Sequence, residues 1–296
     1  MKRVLALGAA LLLVAIAVLV RQQLDDGGSG SGGGDGGDGG ALVVACVPEL
    51  ADVCSAIAGA DVRVEAPADT IAALEGDDPP DAWVTFDPWP ELAEVDAQRA
   101  LFDEPARPVA SSPLLLLTRS NSVPAGCEDP NWDCIVDGRA NGGPSLPAPS
   151  TAFGAVAIGH AALEWSAVAR PGEPFARQEL ALPNFRAWLA GIDLGARDPL
   201  DDMFVFANAG PMATAVTDVT YRDRVVGSRD EAALEPHTGA LEGTIAVVVA
   251  GRSADRVAGD DRFNAALLEQ GWLRGEARAA GLPNAGVLFA IVEETS

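Results

Sequence analysis

The sequence predicts an α/β fold in which a mixed, mostly parallel sheet is covered by helices on both faces. Strand and helix patterns alternate from Ala41 to Leu101, and such alternation is typical of parallel sheets. The first strand pattern, Leu42–Val47, is almost continuously apolar, as expected of a strand buried on both faces. A basic, apolar and Gly-rich leader precedes this pattern, which indicates a folded body held at a membrane.

The leader divides into three parts. Residues 1–3 carry Lys2 and Arg3 and are expected to stay cytoplasmic. Residues 4–20 are apolar and reach the roughly 17–25 residues that span a bilayer, so we predict an uncleaved signal anchor. The alternative is a cleaved signal peptide, but no small-residue cleavage site follows Val20. Residues 21–40 are predicted to form a flexible Gly/Ser/Asp-rich linker, with a single-pass anchor in the cell membrane and an extracytoplasmic body.

The first half of the body reads as three strand–helix pairs. Pro48 suits the first position of a helix. Asp69 is a plausible cap for a short helix that ends at Gly76. The remaining predicted elements are a strand at 61–65, a strand at 81–86 and a helix at 90–101.

The second half begins with a long extended run, 109–118, that has Pro113 in its middle. A proline argues against a central ladder position and favours an edge or a crossover between lobes. Further along the chain, apolar patterns predict helices at 152–168, 177–190, 199–208 and 262–271, extended segments at 214–221 and 244–249, and a terminal element at 282–293.

Charge and cysteine content exclude several functions. The net charge of −23 argues against binding nucleic acid, which requires basic patches. Four cysteines occur as two local pairs, and outside the cytoplasm an even number indicates disulfides. Three pairings are possible, of which we predict the local one, Cys46–Cys54 and Cys127–Cys134. Zinc is the alternative, but neither spacing is C-x-x-C, so no metal and no cofactor is expected.

Four motifs follow one another along the body: Cys46-Val-Pro-Glu-Leu50, Asp81-Ala-Trp-Val-Thr-Phe-Asp-Pro-Trp89, Ser111-Ser-Pro-Leu-Leu-Leu-Leu-Thr118 and Pro147-Ala-Pro-Ser-Thr-Ala-Phe-Gly154. Their succession resembles the type II extracellular solute-binding proteins of ABC importers, and the resemblance covers most of residues 41–296. It is most similar to a membrane-anchored branch often associated with von Willebrand A-like modules.

This resemblance implies a two-lobed fold with at least two crossings between the lobes. The first lobe would comprise residues 41–110 and 220–296, and the second lobe residues 111–219. We expect the crossings near residues 107–120 and 213–224.

Thr85, Asp87 and Trp89 follow the third predicted strand. Ligands of open α/β sheets bind beyond the carboxyl ends of strands. Asp87 is therefore a candidate for a cationic or hydroxylated ligand, and Trp89 for stacking or a cation–π contact. The alternative is an Asp-Pro turn with Trp89 packed on its rim.

Four hydroxyls form the next candidates. Ser111 and Ser112 lie at the expected crossover, where they would bind a ligand held between the lobes or satisfy their own backbone. Ser150 and Thr151 precede a helix, so that one of them caps it, while the free N–H groups of the same helix end suit a carboxylate or oxyanion.

Asp218 and Tyr221, the single tyrosine, complete the predicted ligand-binding set at the expected return to the first lobe. No enzyme is predicted, because the sequence lacks H-E-x-x-H, P-loop and G-x-S-x-G motifs. His160 and His237 stand alone in a helix and in a loop.

The leading hypothesis is a membrane-tethered binding protein that closes on a small ligand, for an ABC permease or for a sensing partner such as a von Willebrand A-like surface protein. The alternative is a ligand-free interaction or adhesion module with the same fold. Asp87 and Trp89 favour a cationic ligand and the helix end at Ser150 favours an anion. A cleft lined by polar groups would favour binding, whereas one filled by Leu, Phe or Trp would favour the module.

Overall fold

The computed structural model describes residues 41–119, 145–173, 175–194, 198–205, 213–239, 241, 243–275 and 282–295. The predicted n-region, anchor and linker (1–40) lie outside the described residues, and so do Cys127 and Cys134. Predictions about these segments therefore remain predictions.

Ten strands and ten α-helices form the described body. The strands are β1 (Leu42–Cys46), β2 (Ala60–Val64), β3 (Ala82–Phe86), β4 (Arg107–Arg119), β5 (Ser145–Leu146), β6 (Asp193–Leu194), β7 (Ala213–Thr217), β8 (Leu234–Thr238), β9 (Thr244–Ala250) and β10 (Leu273–Arg274). The helices are α1 (Ala51–Cys54), α2 (Pro67–Glu75), α3 (Trp89–Ala97), α4 (Ala152–Ala169), α5 (Pro183–Leu189), α6 (Pro199–Val205), α7 (Asp218–Arg224), α8 (Ala254–Ala258), α9 (Asp261–Glu269) and α10 (Ala285–Thr295). Short 3₁₀ turns cover Pro48–Leu50, Arg177–Ala181 and Glu231–Ala233.

The strands are ordered β2-β1-β3-β9-β4-β7-β5-β6, with β8 and β10 also paired to β4. β1 is parallel to β2 and β3, and β5 is parallel to β6 and β7. The pairs that involve β9 or β4 are antiparallel. The sheet is therefore mixed, with a parallel group at each end, which confirms the predicted α/β class.

β4 is 13 residues long and serves both groups of strands. Arg107–Pro113 pairs with β9, and Leu114–Thr118 pairs with β7. Pro113 lies at the change of partner, where a residue without an N–H fits. The crossing predicted at 107–120 thus corresponds to a single long strand.

The second crossing, by which the chain returns to the first group of strands, differs from the expected position at 213–224. β8 pairs with the second half of β4, opposite Leu115–Arg119, and β9 pairs with its first half. Strand pairing therefore places the return between β8 and β9, after Thr238. The predicted extended segment at 214–221 ends at Thr217, where Thr217 Oγ1 accepts a bond from Thr220 N–H (2.9 Å) and caps α7. The lobe boundaries themselves remain a prediction.

α4 is the central helix of the core. Most of its length is buried, including Val156, Ile158 and Trp165. Among the described residues it is the one helix long and apolar enough to cross a membrane, but two thirds of it, 67%, is buried within the body. Burial on nearly all sides accounts for its apolar composition without a membrane.

The predicted disulfide Cys46–Cys54 is present, and both cysteines are fully buried. It links the end of β1 to the end of α1, and so encloses the 3₁₀ turn at Pro48–Leu50. Asp69 does not cap α2. The helix begins earlier, at Pro67, because proline is well suited to a first helical turn.

Candidate functional site

A cavity of about 690 Å³ opens at the carboxyl ends of the parallel strands. Phe86 and Thr217, which line it, are the last residues of β3 and β7. The lining residues Pro48, Ala66 and Pro147 follow β1, β2 and β5. Open α/β sheets bind ligands at this edge. The cavity lies beyond the carboxyl ends of strands from both sides of β4.

Two walls enclose the cavity. The first wall comprises the lining residues within 48–52, 66–68, 86 and 270–272. The second wall comprises those within 147–153, 198 and 215–224. Because the walls come from the two ends of the strand order, a ligand in the cavity would contact both groups of strands.

The α4 N-terminus lies in the second wall. Thr151 Oγ1 accepts a hydrogen bond from Gly154 N–H (2.9 Å) and donates one to the Ala148 carbonyl (2.8 Å). Thr151 is thus the cap that the sequence predicted for one of Ser150 and Thr151. Both residues are exposed and line the cavity.

A carboxylate of the protein itself lies at this helix end. Glu49 Oε1, from the first wall, accepts a hydrogen bond from Phe153 N–H (3.3 Å). Loss of water around the Glu49 carboxyl within the cleft raises its pKa above the ordinary 4.5, with a smaller contribution from Asp198. Hydrogen bonds from its own backbone and from Phe153 and Ala152 lower the pKa by less. The free N–H groups of α4 are therefore already used by a residue of the chain.

Arg224 is the cation of the cavity lining. Its guanidinium forms ion pairs with Asp198 and Asp201 and lies 6.0 Å from the centre of the Phe204 ring. Burial opposes the charged form of Arg224, but the two carboxylates outweigh it and raise its pKa. Arg224 is thus held by the second wall.

An aromatic pair forms part of the first wall. The Phe86 and Trp272 rings have centroids 5.8 Å apart and planes inclined by 35°. Trp272 is only 4% exposed, and its indole N–H has no hydrogen-bond partner among the described residues. The indole N–H groups of Trp83 and Trp188, outside the lining, are also buried without a partner among the described residues, so this feature does not distinguish the first wall.

Several predicted ligand residues are absent from the cavity lining. Thr85 is fully buried in β3, and its hydroxyl has no partner among the described residues. Asp87 is 6% exposed, and its backbone N–H donates to the Ala246 carbonyl (2.9 Å). The Trp89 indole N–H donates to the Ala152 carbonyl at the start of α4 (2.9 Å). Trp89 therefore packs on the rim and joins α3 to α4.

The crossover and return residues also have partners within the chain. Ser111 is buried in β4, and Ser112 Oγ accepts a weak bond from Val219 N–H (3.4 Å). Asp218 pairs with Arg222 one turn later (2.7 Å), and Tyr221 packs against a small apolar cluster around Leu115. Of the nine predicted ligand residues, all of them described, Ser150 and Thr151 are the two that line the cavity.

Sequence reasoning missed Glu49, Asp198, Arg224, Phe86 and Trp272. A signal for Glu49 is present in the sequence, because Glu49 lies three residues after the end of the buried strand β1. The rule that ligands bind beyond strand ends applies to β1 as well as to β3. No described group of three or more His, Cys, Asp or Glu residues is arranged to hold a metal ion.

No family model and no curated protein matches the sequence. Solved structures do match. Iron-bound HitA from Pseudomonas aeruginosa superposes with a TM-score of 0.58 at 12% identity, over 87% of this chain and 100% of that one. A periplasmic thiamin binding protein gives 0.52 at 11% identity, over 86% and 95%. Apo FutA2 from Synechocystis PCC6803 gives 0.51 at 15% identity, over 86% and 97%. These structures have the two-lobed periplasmic-binding-protein fold, and the chain shares it. None of the three is described as an enzyme.

Proposed function

We propose that this protein is a solute-binding protein that holds a small molecule in the cavity between its two walls. The observation that carries the proposal is an open cavity at the carboxyl ends of strands from both groups, within a periplasmic-binding-protein fold. A volume of this size lies within the roughly 300–1,000 Å³ of most ligand pockets. Phe86 and Trp272 line the cavity without filling it, which favours ligand binding over a ligand-free module.

The cellular setting is part of the same proposal. Residues 4–20 anchor the chain in the cell membrane, and residues 41–296 lie outside the cytoplasm. The bound solute passes to an ABC permease, or its presence is reported to a neighbouring surface protein such as one with a von Willebrand A-like module. Protease treatment of intact cells should digest residues 41–296, whereas protection of the body would reverse the proposed orientation.

A ligand screen tests the binding function. The purified full chain in detergent is heated with amino acids, sugars, amines and carboxylates, and unfolding is followed by tryptophan fluorescence. A ligand present at 100 times its dissociation constant should stabilise the folded state by about 2.7 kcal/mol.

A matched pair of variants localises the effect. Ala68→Trp places a large ring in the first wall and should abolish the shift. Ala100→Trp adds the same ring at an exposed position outside the lining and should preserve it. If no compound shifts the unfolding temperature, the interaction module becomes the better hypothesis.

A further inference from the structure

The two groups in the cavity that would attract an anion are both engaged by carboxylates of the chain. Arg224 is paired with Asp198 and Asp201. The α4 N-terminus receives Glu49 through Phe153 N–H. An anionic ligand would have to displace one of these carboxylates before it gained a partner, and it would meet their repulsion.

The remaining charges of the cavity lining favour a cationic ligand. Four carboxylates and one guanidinium line the cavity: Glu49, Asp52, Asp198, Asp223 and Arg224. Asp52 and Asp223 are exposed, one in each wall, and no described cation pairs with either. Arg224 is paired with Asp198, so the lining is net negative, and a net negative cavity between low-dielectric walls concentrates cations.

The aromatic pair is an independent feature that suits the same ligand. Phe86 and Trp272 line the cavity, although they are only 2% and 4% exposed. Aromatic rings attract cations that lie within about 6 Å of the ring centre, most strongly when the cation is partly desolvated. The rest of the lining is mainly Ala, Pro and Val, which suits an apolar body rather than a bare metal ion.

We propose that the cavity selects an organic cation, a protonated amine or a quaternary ammonium group on an apolar body. This inference rests on the proposed binding function and adds the class of ligand. The charged group lies between the Asp52 and Asp223 carboxylates, and the apolar body packs on the Ala, Pro and Val side chains of the lining, beside Phe86 and Trp272.

Three probes of related shape and different charge test it. Benzyltrimethylammonium, benzyl alcohol and phenylacetate are titrated separately into the purified full chain by calorimetry at constant ionic strength. The cation should bind at least tenfold more tightly than the alcohol, and phenylacetate should bind most weakly. Equal or tighter binding of phenylacetate would overturn the inference.

Charge variants separate a cavity effect from the general acidity of the chain. Asp52→Asn/Asp223→Asn removes two carboxylates from the cavity and should weaken binding of the cation roughly tenfold. Each pair between an exposed carboxylate and the ligand cation contributes only a part of the binding free energy. Asp103→Asn/Glu104→Gln removes the same charge from an exposed segment outside the lining and should leave affinity unchanged. Equal weakening by both pairs would also overturn the inference.

The two hypotheses fail in different ways. If the broader screen finds a neutral or anionic ligand whose effect is lost in Ala68→Trp, the chain is a solute-binding protein and the inference about charge is wrong. If neither the cation nor any compound of the screen binds, both the binding function and the ligand class are wrong.

Discussion

Glu49 shows how one residue changes the chemistry of a helix end. The N-terminus of a long helix is an anion site because its first N–H groups lack partners and its dipole is positive there. In this protein the disulfide Cys46–Cys54 encloses the turn that carries Glu49, and the Glu49 carboxylate accepts a bond from Phe153 N–H. The same contact links the first wall to the second, so Glu49 both fills the anion site and connects the two sides of the cavity.

The raised pKa of Glu49 gives a prediction with a defined sign. The folded protein holds a proton at Glu49 more tightly than the unfolded chain, so the stability that Glu49 contributes is lost as pH rises from about 4.5 through the folded-state pKa. Glu49→Gln keeps an acceptor without the charge. It should therefore be more stable than the wild type at pH 8, and the difference should close below pH 4.5. Urea unfolding across pH measures this.

Glu104→Gln is the control for Glu49→Gln, because it removes the same charge at an exposed position outside the cavity. If both variants change stability with the same pH dependence, the environment of Glu49 is not the cause.

Asp81 gives a prediction of opposite sign. Its carboxylate accepts a hydrogen bond from Val43 N–H (2.8 Å) and pairs with Arg252, so it ties the neighbouring ends of β1, β3 and β9. The Val43 bond, helped by Arg252, lowers its pKa below the ordinary 3.8 despite partial loss of water. The resulting stability is present above pH 3.8 and is lost as pH falls through the folded-state pKa.

Asp81→Asn should accordingly cost about 1–2 kcal/mol at neutral pH, because a hydrogen bond to a charged group contributes about 1.5–3 kcal/mol and the amide oxygen of Asn keeps part of it. The loss should shrink as pH falls below 3.8. Urea unfolding at pH 7 and pH 3 compares the two proteins. A difference that stays constant across this range would show that the Asp81 charge contributes nothing.

At the scale of elements, the sequence predicts strands and helices correctly where one hydrophobic pattern dominates. β1, β3, β9 and α4 lie close to their predicted positions because each is apolar enough for its pattern to be unambiguous. The prediction failed after Thr217, because Thr214–Tyr221 reads as extended whereas the strand Ala213–Thr217 ends at the Thr217 cap. Thr217 precedes β-branched residues, whose preference for strands competes with the cap, and only the packing of α7 decides between them.

The site was less predictable than the elements. The rule that ligands lie beyond strand ends identified the right edge of the sheet. It did not show that the Trp89 indole would bind the Ala152 carbonyl, 63 residues away in sequence, instead of a ligand. Trp272 could not have been assigned from its local sequence either, because its position beside Phe86 depends on the pairing of β10 with β4.

Gly154 tests how closely α4 approaches the loop before it. A Cβ added at Gly154 would lie 1.9 Å from the Ala148 carbonyl oxygen, which belongs to backbone that lines the cavity. A Cβ at Gly159, in the same helix, would lie 2.9 Å from a terminal methyl of Leu288, which can rotate away. Alanine is favoured over glycine inside a helix by about 1 kcal/mol.

Gly154→Ala should therefore destabilise the protein by about 1–3 kcal/mol, as expected for overpacking against a fixed neighbour. Gly159→Ala should be nearly neutral or stabilising, since its helix preference offsets a small side-chain adjustment. Urea unfolding of both variants provides the comparison. Equal destabilisation would show that the loop before α4 yields as easily as a leucine side chain.

At the scale of the whole molecule, the two-lobed class was predictable because the order of motifs along residues 41–296 carries it. The path between the two groups of strands was not. Pro113 indicated a crossing, but the return was placed at 213–224 instead of between β8 and β9. β8 and β9 each pair antiparallel with a different half of β4. These pairings depend on contacts between Thr244 and Pro113 and between Thr238 and Leu115. These residues are far apart in sequence, and no local pattern records their pairing.

The shared strand predicts how the body unfolds. β4 pairs with β9 through Arg107–Pro113 and with β7 through Leu114–Thr118, so neither group of strands can open fully without breaking the ladder of the other. The slowest amides of the buried strands β3 and β7 should therefore exchange with the same free energy of opening, equal to that of global unfolding. Edge strand β2, which is partly exposed along its length, should open at lower free energy and serves as the internal control. Native-state hydrogen exchange of the full chain in increasing urea measures all three. If β7 opens at a free energy well below that of β3, by more than about 1 kcal/mol, the two groups of strands unfold separately, and β4 connects them without coupling their stability.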